Sequence, residues 1–254
     1  MTSNRFFVKK AKLCRSLVFL DGEEHHHLHS VLRMKVGDHV WLFDENGTEY
    51  LARLDSTGRD STRLYVIKKK ENKSASVKII LAQSLIKTRR LELLIQKATE
   101  LGAACFLPVI AARSIVKVEG KIEKKTERWT KIAREAAKQS GNTQVPAILP
   151  PKPLAEVLET VEAGVKIFLN ERGGRYLKDI LMGSHDSTEE VTKIPKSIQV
   201  LIGPEGGWTE QEEHDILDHG YTAVSLGPQT LRSETAAISC LVLINHFWNL
   251  QDVS

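Results

Sequence analysis

Three short segments carry the residues best suited to chemistry: Asn170-Glu171-Arg172-Gly173-Gly174, Gly203-Pro204-Glu205-Gly206-Gly207, and Gly227-Pro228-Gln229-Thr230-Leu231-Arg232-Ser233-Glu234. Glycine lets the backbone turn sharply and approach a ligand closely, and proline fixes the turn. Each segment alone reads as an ordinary turn. Three of them, with charged residues inside an otherwise apolar framework, argue for a pocket. Arg232 immediately precedes a helix N-terminus, where the macrodipole disfavours a cation. An ion pair with Glu234 or Glu205 is the structural alternative; the functional reading is that Arg232 faces an anion, or a group that becomes one during reaction. No Gly-x-Gly-x-x-Gly follows a strand and no Gly-Lys-Ser/Thr closes a phosphate loop, which argues against Rossmann dehydrogenases and P-loop enzymes.

These segments need a scaffold, and from residue 77 onward the pattern is of strands alternating with helices. Val77 to Leu81, Cys105 to Ile110, Val165 to Leu169, Gln199 to Ile202 and Tyr221 to Leu226 read as strands. Residues 88–101 place Leu91, Leu94, Ile95, Ala98 and Leu101 at helical spacing, with Gly102 as the stop. Residues 122–140 form a second amphipathic helix. Its apolar face is Trp129, Ile132, Ala133, Ala136 and Ala137, opposite Lys121, Lys125, Arg128, Lys131, Arg134 and Lys138. Thr209-x-x-Glu212 is a capping box opening a helix that Gly220 ends after His219. Glu234 to Trp248, apolar nearly all round, is expected to be buried. Such alternation predicts a mostly parallel sheet covered by helices, with ligands beyond the carboxyl ends of its strands. The three candidate segments fall there.

The first seventy or so residues differ. Residues 38–43 and 48–54 flank Asp44-Glu45-Asn46-Gly47, a hairpin signal, and Arg63-Leu-Tyr-Val-Ile67 is a further strand. The polar stretch 68–76 marks a boundary between a domain at 1–72 and one at 73–254.

Charge is divided along the chain. Residues 1–138 carry 28 Lys+Arg against 16 Asp+Glu, a net +12, while residues 139–254 carry 8 against 16, a net −8, which together give the formal +4. The first portion is suited to polyanions and the second is not. Thr235 to Gln251, the longest uncharged run, is too short and too polar to span a bilayer, so no membrane partner is expected. The start, Met1-Thr-Ser-Asn-Arg-Phe-Phe, lacks the basic-then-apolar order of a signal peptide. Cys14, Cys105 and Cys240 make neither a disulfide framework nor a zinc site. A reduced, cytoplasmic protein is expected. His25-His26-His27-x-His29 lacks an acidic or Cys partner at ligand spacing, so no metal is expected.

Ile202-Gly-Pro-Glu-Gly-Gly207 and Leu226-Gly-Pro-Gln-Thr-Leu-Arg-Ser-Glu-Thr-Ala236 closely resemble the last two motifs of the bacterial ribosomal RNA small-subunit methyltransferase E family, within the SPOUT methyltransferases. The resemblance runs the length of the chain. It includes Arg5-Phe-Phe-Val8, His26-His-Leu-His-Ser-Val-Leu-Arg33, Arg90-x-Glu-x-x-Ile-Gln-Lys-Ala-Thr-Glu-Leu-Gly102 and Arg128-Trp-x-Lys-Ile-Ala-x-Glu-Ala-Ala-x-Gln-Ser-Gly141. Asn142 departs from the family, which often has Arg there. The resemblance implies an α/β protein with an N-terminal PUA-like β-barrel and a C-terminal SPOUT domain tied in a deep trefoil knot. It further implies a homodimer that uses S-adenosylmethionine to methylate N3 of one uridine in 16S ribosomal RNA of the small subunit.

Carried over residue by residue, the cofactor site comprises Leu169, Asn170, Glu171, Ile202, Gly203, Pro204, Glu205, Gly206, Gly207, Leu226, Gly227, Leu231 and Arg232. Uracil N3 needs to lose its proton, and a cation favours the resulting anion. Arg232 takes that role, and Glu205 and Glu234 are the candidate bases, between which the sequence does not choose. For RNA, Arg5, Lys9, Lys10, Lys12 and Arg15 crowd the N-terminus beside Phe7; His26, His29 and Arg33 share one face of a helix starting near Glu23; and Arg128 represents the basic helix face. Two other readings stay open: ribose 2′-O methylation of transfer RNA, and a non-catalytic RNA-binding assembly factor.

Overall fold

A computed structural model describes residues 4–9, 13–14, 16–71, 75, 77–114, 122–160, 163–183 and 194–249. The chain divides into two compact units, one of residues 1–74 and 134–145, the other of residues 75–133 and 146–254.

The first unit contains β1 (Arg5–Phe7), β2 (Leu13–Cys14), β3 (Leu17–Asp21), a short helix α1 (Gly22–His26), β4 (His39–Phe43), β5 (Glu49–Thr57) and β6 (Ser61–Lys70). Its sheet runs β1, β4, β5, β6, β3, β2, and all pairs but β1 with β4 are antiparallel. Alternation packs Val18, Leu20, Val40, Leu42, Ala52, Leu54 and Leu64 on one side with Phe6, Val8 and Leu28. Bulges at Leu51/Ala52 and Leu54/Ser56 bend β5 and β6. The sheet is an open half-barrel, with β1 and β2 at its edges, where a barrel was expected. The expected hairpin forms, its turn held by Asp44, whose Oδ1 accepts from the backbone N–H groups of Asn46 and Thr48. Lys68 to Lys70, assigned to the boundary by their polarity, instead extend β6 and pair with Glu49 to Leu51. Lys70 gains an ion pair with Glu49, so the strand runs on through this polar stretch.

The predicted helix near Glu23 also changes character. After α1 the chain widens into a π-helical turn at His27–Val31 and leaves it before Arg33, whose φ is +52°. His26, His29 and Arg33 therefore do not share one helical face, because a wider turn breaks the spacing that the expectation used.

The second unit contains β7 (Lys78–Ser84), α2 (Thr88–Glu100), β8 (Cys105–Ile110), α3 (Ile122–Ser140, whose last turns belong to the first unit), β9 (Ala147–Ile148), β10 (Lys152–Pro153), α4 (Leu154–Thr160), β11 (Val165–Leu169), β12 (Arg175–Tyr176), α5 (Leu177–Met182), β13 (Ser197–Ile202), α6 (Glu210–Asp218), β14 (Thr222–Ser225) and α7 (Ser233–Ile244). The sheet order is β10, β8, β7, β13, β11, β14, β12, with β9 also on β8, and every pair is parallel. Near-continuous burial from Ile198 to Ile202 reflects a strand covered on both faces. The capping box of α6 forms as predicted, Thr209 Oγ1 accepting from Glu212 N at 3.1 Å. No helix among the described residues is long and apolar enough to cross a membrane.

Two expectations for the helices need correction. Lys138 does not lie on a solvated face: its side chain is 8% exposed and pairs with Glu24 at 2.6 Å and Glu135 at 2.8 Å. Lys121 lies outside the described residues. The last helix is not buried all round, since Thr235, Val242 and His246 form an exposed stripe along α7 and the π-helical turn that follows it, Asn245–Asn249. Apolar composition alone does not reveal which face another element covers.

Candidate active site

The strands β13, β11 and β14 are neighbours and parallel, so their carboxyl ends fall together. Phe168 stands beside Leu201 and Leu169 beside Val224. The loops that leave them wall an open, concave cleft, the kind of place at the carboxyl ends of parallel strands where ligands bind. Of the predicted residues, Leu169, Asn170, Glu171, Ile202, Gly203, Gly207, Leu226, Gly227 and Leu231 line it. Pro204, Glu205, Gly206 and Arg232 belong to the same loops without lining it.

Local chemistry fixes each wall. Asn170 Oδ1 accepts from Arg172 N at 2.9 Å, turning the chain directly after β11. Trp208 floors the cleft, donating from Nε1 to the Leu169 carbonyl at 3.3 Å. A Cβ on Gly203 would stand 3.1 Å from that indole nitrogen, so the absence of a side chain lets the ring sit where it does. Gly207 has φ of +66°, a backbone conformation that favours glycine. Below the loops, Gln83 Nε2 donates to Ser233 Oγ at 2.9 Å, and that hydroxyl donates to the Gly203 carbonyl at 2.7 Å. This buried relay ties the end of β7, the loop after β13 and the first turn of α7 to one another. Arg113 holds the outer side, donating from Nη1 to the carbonyls of Gly206 at 2.9 Å and Trp208 at 3.0 Å.

The ionic groups are not paired as the structural alternative for Arg232 supposed. Glu205 and Glu234 both turn to Arg90 on α2: Nη1 lies 3.5 Å from Glu205 Oε1, and Nε lies 3.5 Å from Glu234 Oε1. Their side chains are 19% and 11% exposed, and Glu234 Oε2 has no hydrogen-bond partner among the described residues. Arg232 is the N-cap of α7 and is exposed, and among the described residues its guanidinium has no ion-pair partner. A free cation thus stands two residues from a buried carboxylate whose charge another arginine offsets. Glu171 and Glu213 face the cleft with Arg172, whose guanidinium is 3.9 Å from Glu213. The lining therefore has acidic groups able to meet a cationic ligand.

Sequence reasoning missed Arg90, Arg113, Trp208, Glu213 and the Gln83–Ser233 relay as site residues. Arg90 opens one of the motifs that carry the family resemblance, so a signal existed for it. Arg113 had none, because its partners are backbone carbonyls 93 and 95 positions away.

The expected RNA-facing residues do not come together as one set. Arg5 is largely buried, paired with Glu49 at 2.8 Å and donating to the Gly141 carbonyl at 3.1 Å. Arg128 makes a two-pronged pair with Glu92 at 2.6 and 2.9 Å, which raises its pKa above the ordinary arginine value. Lys9, His26, His29 and Arg33 are exposed, and His29 stacks on His25 with ring centroids 5.7 Å apart. His25 itself is buried, bonded to Thr62 Oγ1 and the Arg59 carbonyl. Lys10, Lys12 and Arg15 lie outside the described residues. No group of three potential metal ligands occurs among the described residues.

A family described as the RNA methyltransferase domain matches residues 73–245, and one described as the RNA methyltransferase PUA domain matches residues 20–62. A Bacillus subtilis protein named ribosomal RNA small subunit methyltransferase E is 36% identical over 232 residues, covering 89% of each chain. A crystal structure of a ribosomal RNA small subunit methyltransferase E from Neisseria gonorrhoeae, bound to S-adenosyl methionine, superposes with a TM-score of 0.85 at 30% identity, covering 97% of this chain and 98% of that one. A Legionella pneumophila methyltransferase in complex with the bound cofactor SAM matches with the same TM-score, identity and coverage.

Proposed function

The chain belongs to the ribosomal RNA small subunit methyltransferase E family, and on that footing we propose that it moves a methyl group from S-adenosylmethionine to N3 of one uridine in 16S ribosomal RNA. The observation that carries this reading is the cleft walled by the three loops after β11, β13 and β14. Its residues fit the methyl donor: glycines allow close approach of backbone to a flat adenine, and Glu171 and Glu213 suit a cation, while phosphate-binding motifs are absent. Leu169, Asn170, Glu171, Ile202, Gly203, Gly207, Leu226, Gly227 and Leu231 would hold it directly, with Pro204, Glu205, Gly206 and Arg232 shaping the rim. When bound, the donor supplies an electrophilic methyl on a sulfonium that departs as a neutral thioether.

The remaining chemistry falls to the protein. Uracil N3 carries its proton at neutral pH and attacks poorly until that proton leaves. One carboxylate of the Glu205 and Glu234 pair accepts it, and the N3 electron pair then forms the new bond to carbon. Charge spreads onto O2 and O4 as the proton departs, and the free guanidinium of Arg232 meets it. Arg90, 3.5 Å from each glutamate, holds both side chains beside the same cation. Trp208, Gln83, Ser233 and Arg113 act by holding the loops.

The same reading carries a PUA-like domain at 1–72, a trefoil-knotted domain at 73–254, a homodimer, and work in the cytoplasm on the small subunit. Incubation with labelled S-adenosylmethionine and small subunits lacking the modification, followed by nucleoside analysis, tests it. The expected product is 3-methyluridine. A 2′-O-methylated nucleoside, or no incorporation by a folded protein, overturns the proposal.

A further inference from the structure

The solvent side of the half-barrel carries a set of side chains that the cleft does not use. Strand alternation turns Val18, Leu20, Ala52, Leu54 and Leu64 into the core, so their neighbours along β3, β5 and β6 face outward. Register places His39, Arg53, Tyr65 and Leu17 in one row across β4, β5, β6 and β3. The next row holds Arg63 and Phe19. Phe19 is 44% exposed and Tyr65 46%, both unusually open for aromatic residues in the middle of a sheet. On the other side of the first row, Trp41, Leu51 and Lys68 form a third. The acids on this face are Asp55, held by Arg63 at 2.6 Å, Glu49, buried and paired with Arg5 and Lys70, and Asp21 at its margin.

We infer that this outer sheet face is a docking platform for single-stranded RNA, with Phe19 and Tyr65 stacking bases and Arg53 meeting the backbone. Neighbouring rows lie about 6.7 Å apart along a strand, two residues of rise, and cross-strand neighbours stand closer. Aromatic rings presented at that spacing among cations match bases splayed from a single strand, because every base has a face to stack while the cations follow phosphates. A duplex hides those faces. Charge also selects the occupant: Arg53, His39 and Lys68 face solvent in the basic half of the chain. Arg5 and Arg128, by contrast, are engaged by Glu49 and Glu92.

This inference rests on the RNA methyltransferase reading for its partner, yet it is measured by binding and not by methyl transfer. A short labelled single-stranded RNA of mixed sequence, and a duplex of the same sequence, are titrated against the full chain. Phe19→Ala and Tyr65→Ala should each weaken single-strand binding roughly 5- to 100-fold, Tyr65→Phe should retain it, and the duplex should bind more weakly throughout. Arg53→Ala should lower the salt slope by about one unit. Unchanged thermal unfolding confirms that these exposed substitutions leave the fold intact. Wild-type single-strand affinity in both alanine variants overturns the inference, as does a loss confined to purified small subunits, which would assign the face to a ribosomal protein. If the alanine variants lose RNA binding while the wild type forms no 3-methyluridine, the platform stands and the proposed reaction falls.

Discussion

At the scale of single residues, the ion pairs that the sequence offered as an alternative for Arg232 are made instead by Arg90. Arg232 is exposed and unpaired among the described residues, whereas Arg90 is tied to both candidate bases. Substituting Arg232 with alanine removes a charge that no other group uses, so kcat should fall about 100- to 1,000-fold. S-adenosylmethionine affinity by calorimetry should stay close to wild type; a fully active variant removes Arg232 from the mechanism. Arg90→Ala acts differently, leaving two glutamates without their shared cation. Its kcat should fall, since the two candidate bases lose the contact that holds them in place. Arg90→Lys should restore part of the activity, and an unchanged kcat in Arg90→Ala takes Arg90 out of the site. As candidates, Arg232, Glu205 and Glu234 were legible because motif and helix position pointed at them. Which arginine pairs with which glutamate was not, since α2 lies more than a hundred positions from either glutamate.

Among elements, α3 shows how an amphipathic pattern can mislead. Its length and its apolar face follow from sequence, with Trp129, Ala133, Ala136 and Ala137 buried. Lys138 counts as surface by type but is buried against Glu24 and Glu135. Burial pushes the Lys138 ammonium down, and its bonds to Glu135 and Glu24 outweigh that, leaving it above the ordinary lysine value. Burial pushes the Glu24 carboxyl up, with Lys138 opposing only in part. A raised lysine stabilises the fold below its unfolded value of about 10.5 and loses that contribution as pH rises through the folded value. Glu24, also raised, favours the folded state most when protonated, below its ordinary value. Lys138→Ala leaves Glu24 buried without this partner and should cost about 3 kcal/mol at pH 7 in urea unfolding. The deficit should shrink as pH falls through the folded value of Glu24, which lies above the ordinary carboxylate value, because Glu24 then takes a proton. A deficit of the same size across that range shows that the charge pair is not its source.

On the scale of the whole molecule, the exposed stripe of α7 bears on assembly. Val242 is 46% exposed on a helix whose opposite side, through Ala237, Cys240, Leu241 and Ile244, is buried. The proposed homodimer would cover such a stripe. Light scattering should give twice the 28.5 kDa chain mass, and Val242→Glu should shift the population towards monomer at micromolar concentration. A monomeric wild type, or a dimer that Val242→Glu leaves intact, takes this stripe out of the interface. The charge split adds a second expectation at this scale. Its +12 portion runs to residue 138, past the expected domain boundary near 72, so RNA should contact both domains and an isolated N-terminal domain should bind it more weakly than the full chain.

What the sequence determined by itself was local and periodic. Helix spans, the Thr209 capping box, the Asn46-Gly47 hairpin and the three loop segments all follow from neighbours a few residues apart, where spacing alone dictates which side chains meet. The family motifs added the site by resemblance. Tertiary structure decided what depends on partners far along the chain: β13 lying between β7 and β11, residues 134–145 joining the first unit, and Arg90 bridging two glutamates. Asn249, which bonds both backbone groups of Val77 from 172 positions away, shows the reason plainly. Periodicity records that a residue must be buried or satisfied, while the identity of the group that does so is fixed only when distant segments pack.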